Sequence, residues 1–201
     1  MAFLGYLMIP IMLLNFFGAL VSGIWLGVLG EWKLVGWGVA LMLTSHFFLG
    51  FVLMLGLLLG GPAAVLADKG KVLFALPFLI LSQVYTYGVI AVWCLAVFFF
   101  FVGSADRDSF IPLVVWSYGV ALSPIMFMAQ RDQMSGGGDA SAFTTFSAQV
   151  AYIVIGLIVI FGNATFGTLC IVFAVIMTIG MLFQSALAVA LYRAEMRYRN
   201  Y

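Results

Sequence analysis

The chain has 201 residues, of which 66% are hydrophobic and 7% charged, with a formal net charge of +1. Soluble domains carry about 25% charged residues, so a water-covered exterior is excluded, and the near-balance of charge gives no footing for nucleic acid. A helix with its turn uses about 30–35 residues, so the length suits one all-α, polytopic transmembrane bundle of six spans with no separate soluble domain.

The first apolar stretch covers 3–29. It lacks the basic leader and small-residue cleavage site of a signal peptide, so it reads as a span. Pro10 removes one helical donor in its first third and predicts a kink. Ala19, Gly23 and Gly27 recur every fourth residue, the spacing that lets a second helix approach closely in lipid. Trp25, Trp32 and Trp37 gather around the turn Gly30-Glu31-Trp32-Lys33, as tryptophans do at headgroup level. The second span, 36–67, contains no Asp, Glu, Lys or Arg and holds the only histidine, His46. Gly56 and Gly60 repeat the small-residue spacing, and Gly61-Pro62 predicts a break near the end of the span.

After the turn Asp68-Lys69-Gly70-Lys71, the third span runs over 72–102. That is long for an upright crossing, which predicts tilt or a protruding end. The fourth span, 110–129, carries Pro112 in its first turn, where proline is tolerated, and Pro124 deeper. Residues 130–141, QRDQMSGGGDAS, form a glycine-rich polar connector without the Gly-Lys-Ser/Thr of a phosphate loop. The fifth span, 143–161, and the sixth, 166–192, flank the hairpin Gly162-Asn163-Ala164-Thr165, and the polar tail RAEMRYRNY follows.

Six spans bring both termini to one side. That side collects Lys69, Lys71, Arg131, Arg193, Arg197 and Arg199, against Lys33 and Arg107 opposite, so the positive-inside asymmetry places both termini in the cytoplasm. The expected setting is a bacterial inner membrane. The lipid bilayer is then the main partner, beside further copies of the chain or other membrane subunits, with the glycine faces of the first two spans as contact surfaces. Pro10-Ile11-Met12 and Pro124-Ile125-Met126 resemble a duplicated segment, each followed by an amide residue. The pair Gln83-Val84 and Gln149-Val150 falls in spans that do not correspond, so no repeat is assigned.

No acidic or basic residue lies near the middle of any span. Proton-coupled transport usually needs such groups inside the bundle. With no HExxH and no GxSxG, hydrolysis is not supported either, and the chain is not read as an enzyme. Cys94 and Cys170 sit in apolar runs and read as packing residues. One histidine and two scattered cysteines do not make a metal centre, so no metal and no cofactor are assigned. Methionines read as gap-filling packing.

Laid across a bilayer, Asn15, His46, Gln83 with Thr86 and Tyr87, Tyr118, Tyr152 and Thr178 fall within a few turns of the midplane. The layer has two readings. It is interhelical glue at about 0.6 kcal/mol per bond, or the lining of a narrow path for a small uncharged solute. On the second reading the candidate binding residues are Asn15, His46, Gln83, Tyr87, Tyr118 and Tyr152. His46 by itself is open to three roles: a bond to a neighbouring helix, a ligand-facing or gating group, or an axial ligand to a haem or chlorin completed by a partner. Three functions are compatible with these residues. They are a passive channel or facilitator for a small uncharged solute, a non-catalytic subunit of a larger membrane complex, and a membrane-embedded sensor or immunity protein.

Overall fold

A computed structural model describes the backbone of residues 2–103, 105–106, 108–134 and 140–199. The side chains at 2–9, 57, 72, 131–134, 140–141, 188 and 191–199 lie outside the description. The basic side chains Arg107, Arg131, Arg193, Arg197 and Arg199 and the glycines of the 130–141 connector are therefore outside it too. The described residues form six helices: α1 (Ala2–Val28), α2 (Trp32–Asp68), α3 (Val72–Val102), α4 (Phe110–Met134), α5 (Ala140–Phe161) and α6 (Phe166–Arg199). Each is long and apolar enough to cross a bilayer, the character of an integral membrane protein. Hydrocarbon offers no partner to a free N–H or C=O, and a helix satisfies both internally.

Two of the turns are built alike. Gly30 and Gly70 adopt φ of 87° and 73°, the left-handed region where a side chain is strained. Behind each glycine the chain folds back onto the last helical carbonyls. Glu31 N–H donates to Leu26 O and Gly30 N–H to Gly27 O; Lys71 N–H donates to Leu66 O and Gly70 N–H to Ala67 O. This double closure satisfies carbonyls that the end of a helix leaves open. The break predicted at Gly61-Pro62 does not occur, and α2 continues through Pro62 to Asp68. Pro62 deletes one helical donor, but melting the flanking turns would expose many more backbone groups to an apolar surround.

Consecutive helices run in opposite directions. The end carrying the α1–α2, α3–α4 and α5–α6 connections is called upper here, and the other lower. Helix α4 is the axis of the bundle, packed against α1, α2, α3 and α5. Its apolar stretch is 72% buried, against 18% for α2 and 17% for α6, which present most of their surface outward. The driest part of the core lies in the upper half, where Leu26, Phe98, Phe101, Leu113, Ile155 and Phe173 are closed off. Tyr152 is edge-on to both Phe98 and Tyr118 at 5.5 and 5.7 Å.

The glycine faces of α1 and α2 are consumed inside the chain. Gly23 receives the Trp116 indole of α4, Gly27 receives Trp32, and Ala19 sits against Gly119. Gly56 and Gly60 meet Thr86, Tyr85 and Ser82 of α3. Ser82 Oγ and Tyr85 Oη then donate to the Gly56 and Val52 carbonyls at 2.8 and 3.0 Å. Small residues let the backbones come near enough for these bonds, so these faces are not free surfaces for a second copy.

Helix α4 also meets α1 through the two Pro-Ile-Met segments. The helices are antiparallel, and each segment's amide reaches the other's methionine. Asn15 Nδ2 donates to Met126 Sδ at 3.2 Å, and Gln130 Nε2 to Met12 Sδ at 3.5 Å. The two similar segments thus make a reciprocal contact that sequence comparison by itself did not assign.

Candidate solute-binding site

The polar residues predicted as one midplane layer fall at two depths. Tyr118 lies eight residues below the start of α4 and Tyr152 nine residues before the end of α5, about 12–14 Å from the upper end at helical rise. Asn15, His46, Thr86, Tyr87 and Gln83 lie 13 to 19 residues from the upper ends of their helices, about 20–28 Å down. Thr178 belongs to neither group. It is exposed on α6, and its hydroxyl donates to the Ala174 carbonyl of its own helix at 2.8 Å.

Most of the lower group is paired across helices. Tyr87 Oη donates to Gln184 Oε1 at 2.6 Å, and Thr144 Oγ1 donates to the same oxygen at 3.3 Å, tying α3, α5 and α6 together. Ser185 Oγ donates to Gln83 Oε1 between α6 and α3. Nearer the upper end, Trp93 Nε1 donates to the Ala121 carbonyl at 2.9 Å, one residue past the carbonyl that Pro124 leaves without a helical donor. Gln83 and Tyr87 are therefore committed to interhelical bonds, and Asn15 to Met126.

His46 differs from the rest. Its Nδ1 bonds the Met42 carbonyl one turn earlier on α2, and its ring is edge-on to Phe127 of α4 at 5.1 Å. A carbonyl only accepts, so Nδ1 carries the proton in the neutral ring and Nε2 is left as an acceptor. His46 and Phe127 together line two cavities. One, an open groove of about 470 Å³, lies among α2, α3, α4 and α5 and is lined by Thr86, Thr144 and Thr145 together with the outward-facing Phe47 and Phe51. The second, of about 410 Å³, lies among α1, α2 and α4 and includes Asn15, Met12, Met42 and Met126. His46 and Phe127 line both spaces, and Phe127 is more than half exposed. Among the described residues, none that lines either space is charged.

The upper pair has another environment. Tyr118 and Tyr152 contribute to an almost wholly apolar groove of about 520 Å³ between α1, α4 and α5. Their hydroxyls are buried without a hydrogen-bond partner among the described residues, as are both amide atoms of Gln149, Trp116 Nε1 and Ser123 Oγ. Ser117 lies beside the Tyr152 hydroxyl, but its own proton goes to the Val114 carbonyl at 2.8 Å, and no well-aligned bond joins the two. A buried unpaired polar group costs about 1–3 kcal/mol, so these groups are carried at a net cost.

Of the six candidate residues, the geometry places Asn15 and His46 on one cavity and His46 alone of the six on the other. Thr86, Thr144, Thr145, Gln184 and Ser185 complete the polar lower half. Thr144 and Thr145 stand beside each other in the sequence FTTFSAQ, but a threonine pair at the start of a span carries no signal of its own. Among the described residues no group of three or more His, Cys, Asp or Glu gathers as a metal centre. No protein-family model, no curated protein and no solved structure matches the chain.

Proposed function

We propose that the protein is a passive facilitator for small uncharged solutes, with its binding site in the cavity among α2, α3, α4 and α5. The lining of that cavity carries the reading. Thr86 Oγ1 has given its proton to the Ser82 carbonyl at 2.9 Å, and His46 has given its Nδ1 proton to Met42. Both groups accept hydrogen bonds from a cavity occupant and have no proton left to offer. Such a surface selects a neutral molecule that brings its own O–H or N–H groups, a short polyol or an amide. Its volume is within the range of about 300–1,000 Å³ found for small-molecule sites. No charged group is among the described lining residues, which supports passage that is not coupled to a proton or an ion. Stopped-flow uptake of glycerol or urea into liposomes carrying the protein tests this reading. Uptake faster than into empty vesicles is expected, and equal rates would remove the proposal. The proposed setting remains six crossings of a bacterial inner membrane with both termini cytoplasmic, checked by membrane-impermeant labelling of a Tyr201→Cys variant in intact cells.

A second reading, a non-catalytic subunit beside other membrane chains, is favoured by the lengths of α2 and α3. At 37 and 31 residues they run about 55 and 46 Å, against about 37 Å for α4. Their lower ends expose Val65, Leu73, Phe74, Leu76 and Ile80. Native purification separates the two readings: a subunit travels with partner chains, and a facilitator is active alone.

A further inference from the structure

We infer that the groove between α1, α4 and α5 holds one acyl chain of a phospholipid of the upper leaflet, as a resident lipid. This inference goes beyond the proposed solute site, with which the groove shares no lining residue. The groove has a volume of about 520 Å³. Its walls are two ridges at helical spacing, Leu14, Val21 and Trp25 on α1 and Ile153, Leu157 and Ile160 on α5, with Val114 of α4 buried in the floor.

Depth decides what is there to fill it. The groove begins at the upper end of the bundle, where Ile111 is the second residue of α4, Ile160 the last but one of α5, and Trp25 three residues before the end of α1. Trp25 and Leu14 are eleven residues apart on α1, about 16 Å at helical rise. One leaflet of a hydrocarbon core about 30 Å thick is about 15 Å deep. The groove therefore runs from headgroup level, where tryptophan settles, to the middle of the bilayer. At that depth the available molecules are lipid chains.

The lining selects such a chain. Among the described residues it contains no charged group, and Ser22 Oγ has given its proton to the Gly18 carbonyl at 2.7 Å. The hydroxyls of Tyr118 and Tyr152 are closed off, so these two rings present carbon to the groove. A solute with O–H or N–H groups would lose its partners on entering, and a hydrocarbon chain has none to lose. An empty groove would forfeit dispersion contacts along both ridges. Helix α1 packs mainly on α4 and little on α5, and a chain lying between the ridges supplies the missing side of that pair. It is touched by three helices, whereas a chain on the outer face of α6 is touched by one. That difference separates a held lipid from passing ones.

The test uses the full-length protein in vesicles of dioleoylphosphatidylcholine containing a phosphatidylcholine with a diazirine in one acyl chain. After illumination, label on the α1 and α5 segments lining the groove is expected to exceed that on the outer face of α6 around Ile171 and Val175 at least tenfold. Those two side chains are also exposed, and they lie in the same leaflet, five and nine residues below the start of α6. Gly18→Leu is expected to cut the groove label at least tenfold by occupying the space. Among the described residues a Cβ at Gly18 meets only Val115, at 3.6 Å, which leaves the rest of a side chain free to enter the groove. Should that variant fail to fold, the label ratio in the wild type decides. Equal labelling of groove and α6 face, which means annular lipid only, or full groove labelling in a folded Gly18→Leu variant would overturn the inference. So would native mass spectra of the protein purified from its membrane that show a bound isoprenoid, or no bound lipid, in place of one phospholipid. Solute uptake is measured independently, so either idea can fail while the other stands.

Discussion

The two flanks of the lower half draw on the same kinds of side chain and use them differently. On the α3–α5–α6 flank, Tyr87, Thr144 and Gln184 close on one another, and Gln83 closes on Ser185. Between α2, α3 and α4, His46 of α2 and Thr86 of α3 satisfy their protons within their own helices and line a groove. The difference lies in reach. A polar side chain with a partner on the next helix becomes glue, while one whose proton is taken by its own backbone keeps its remaining valence for something else. Polarity within a span therefore does not mark a site; the direction in which its last hydrogen bond remains open does.

The comparison breaks first if close helix approach is not what positions both flanks. A Cβ on Gly119 would collide with Ala19 of α1. Gly119→Leu should destabilise the protein by about 3 kcal/mol, the upper end of the overpacking range, seen as a drop in the thermal unfolding midpoint in detergent. An unchanged midpoint would show that α1 and α4 tolerate separation.

A buried group without a partner supplies a contrast of opposite sign. Gln149 is 1% exposed, with neither amide atom bonded. Gln149→Leu should raise stability by about 1.5 kcal/mol, because it removes a desolvated amide and keeps the volume. A loss instead would mean that a partner such as an ordered water holds the amide.

The glue-versus-site distinction rests on the next pair. His46→Leu should slow solute uptake about tenfold, equivalent to about 1.4 kcal/mol, and leave the unfolding midpoint within experimental scatter, since its hydrogen bond is internal to α2. Collapse of the folded protein would instead make His46 glue. Tyr87→Phe should do the reverse. Its lost bond to Gln184 should cost about 0.6 kcal/mol of stability and leave uptake unchanged, so slower uptake in this variant would erase the distinction between the flanks.

The sequence decided what hydrocarbon alone requires. Six uncharged runs of sufficient length must become helices, because no other conformation satisfies the backbone there, and most helix ends fall within a few residues of the ends of those runs. The errors came where neighbours intervene. Gly61-Pro62 reads as a break from local propensity, yet the surround holds α2 together through Pro62. The glycine faces of α1 and α2 read as docking surfaces, yet Trp116, Trp32 and the polar edge of α3 occupy them. The six candidate residues read as one layer because depth was the sole coordinate available. Which of them faces a helix and which faces a space depends on rotation about each helix axis. Packing sets that rotation, since lipid is as apolar as the bundle interior and no apolar face is driven inward by its surroundings. Only the tertiary structure could line one space with Met12, Met42 and Met126, because they come from three helices and are distant in the chain.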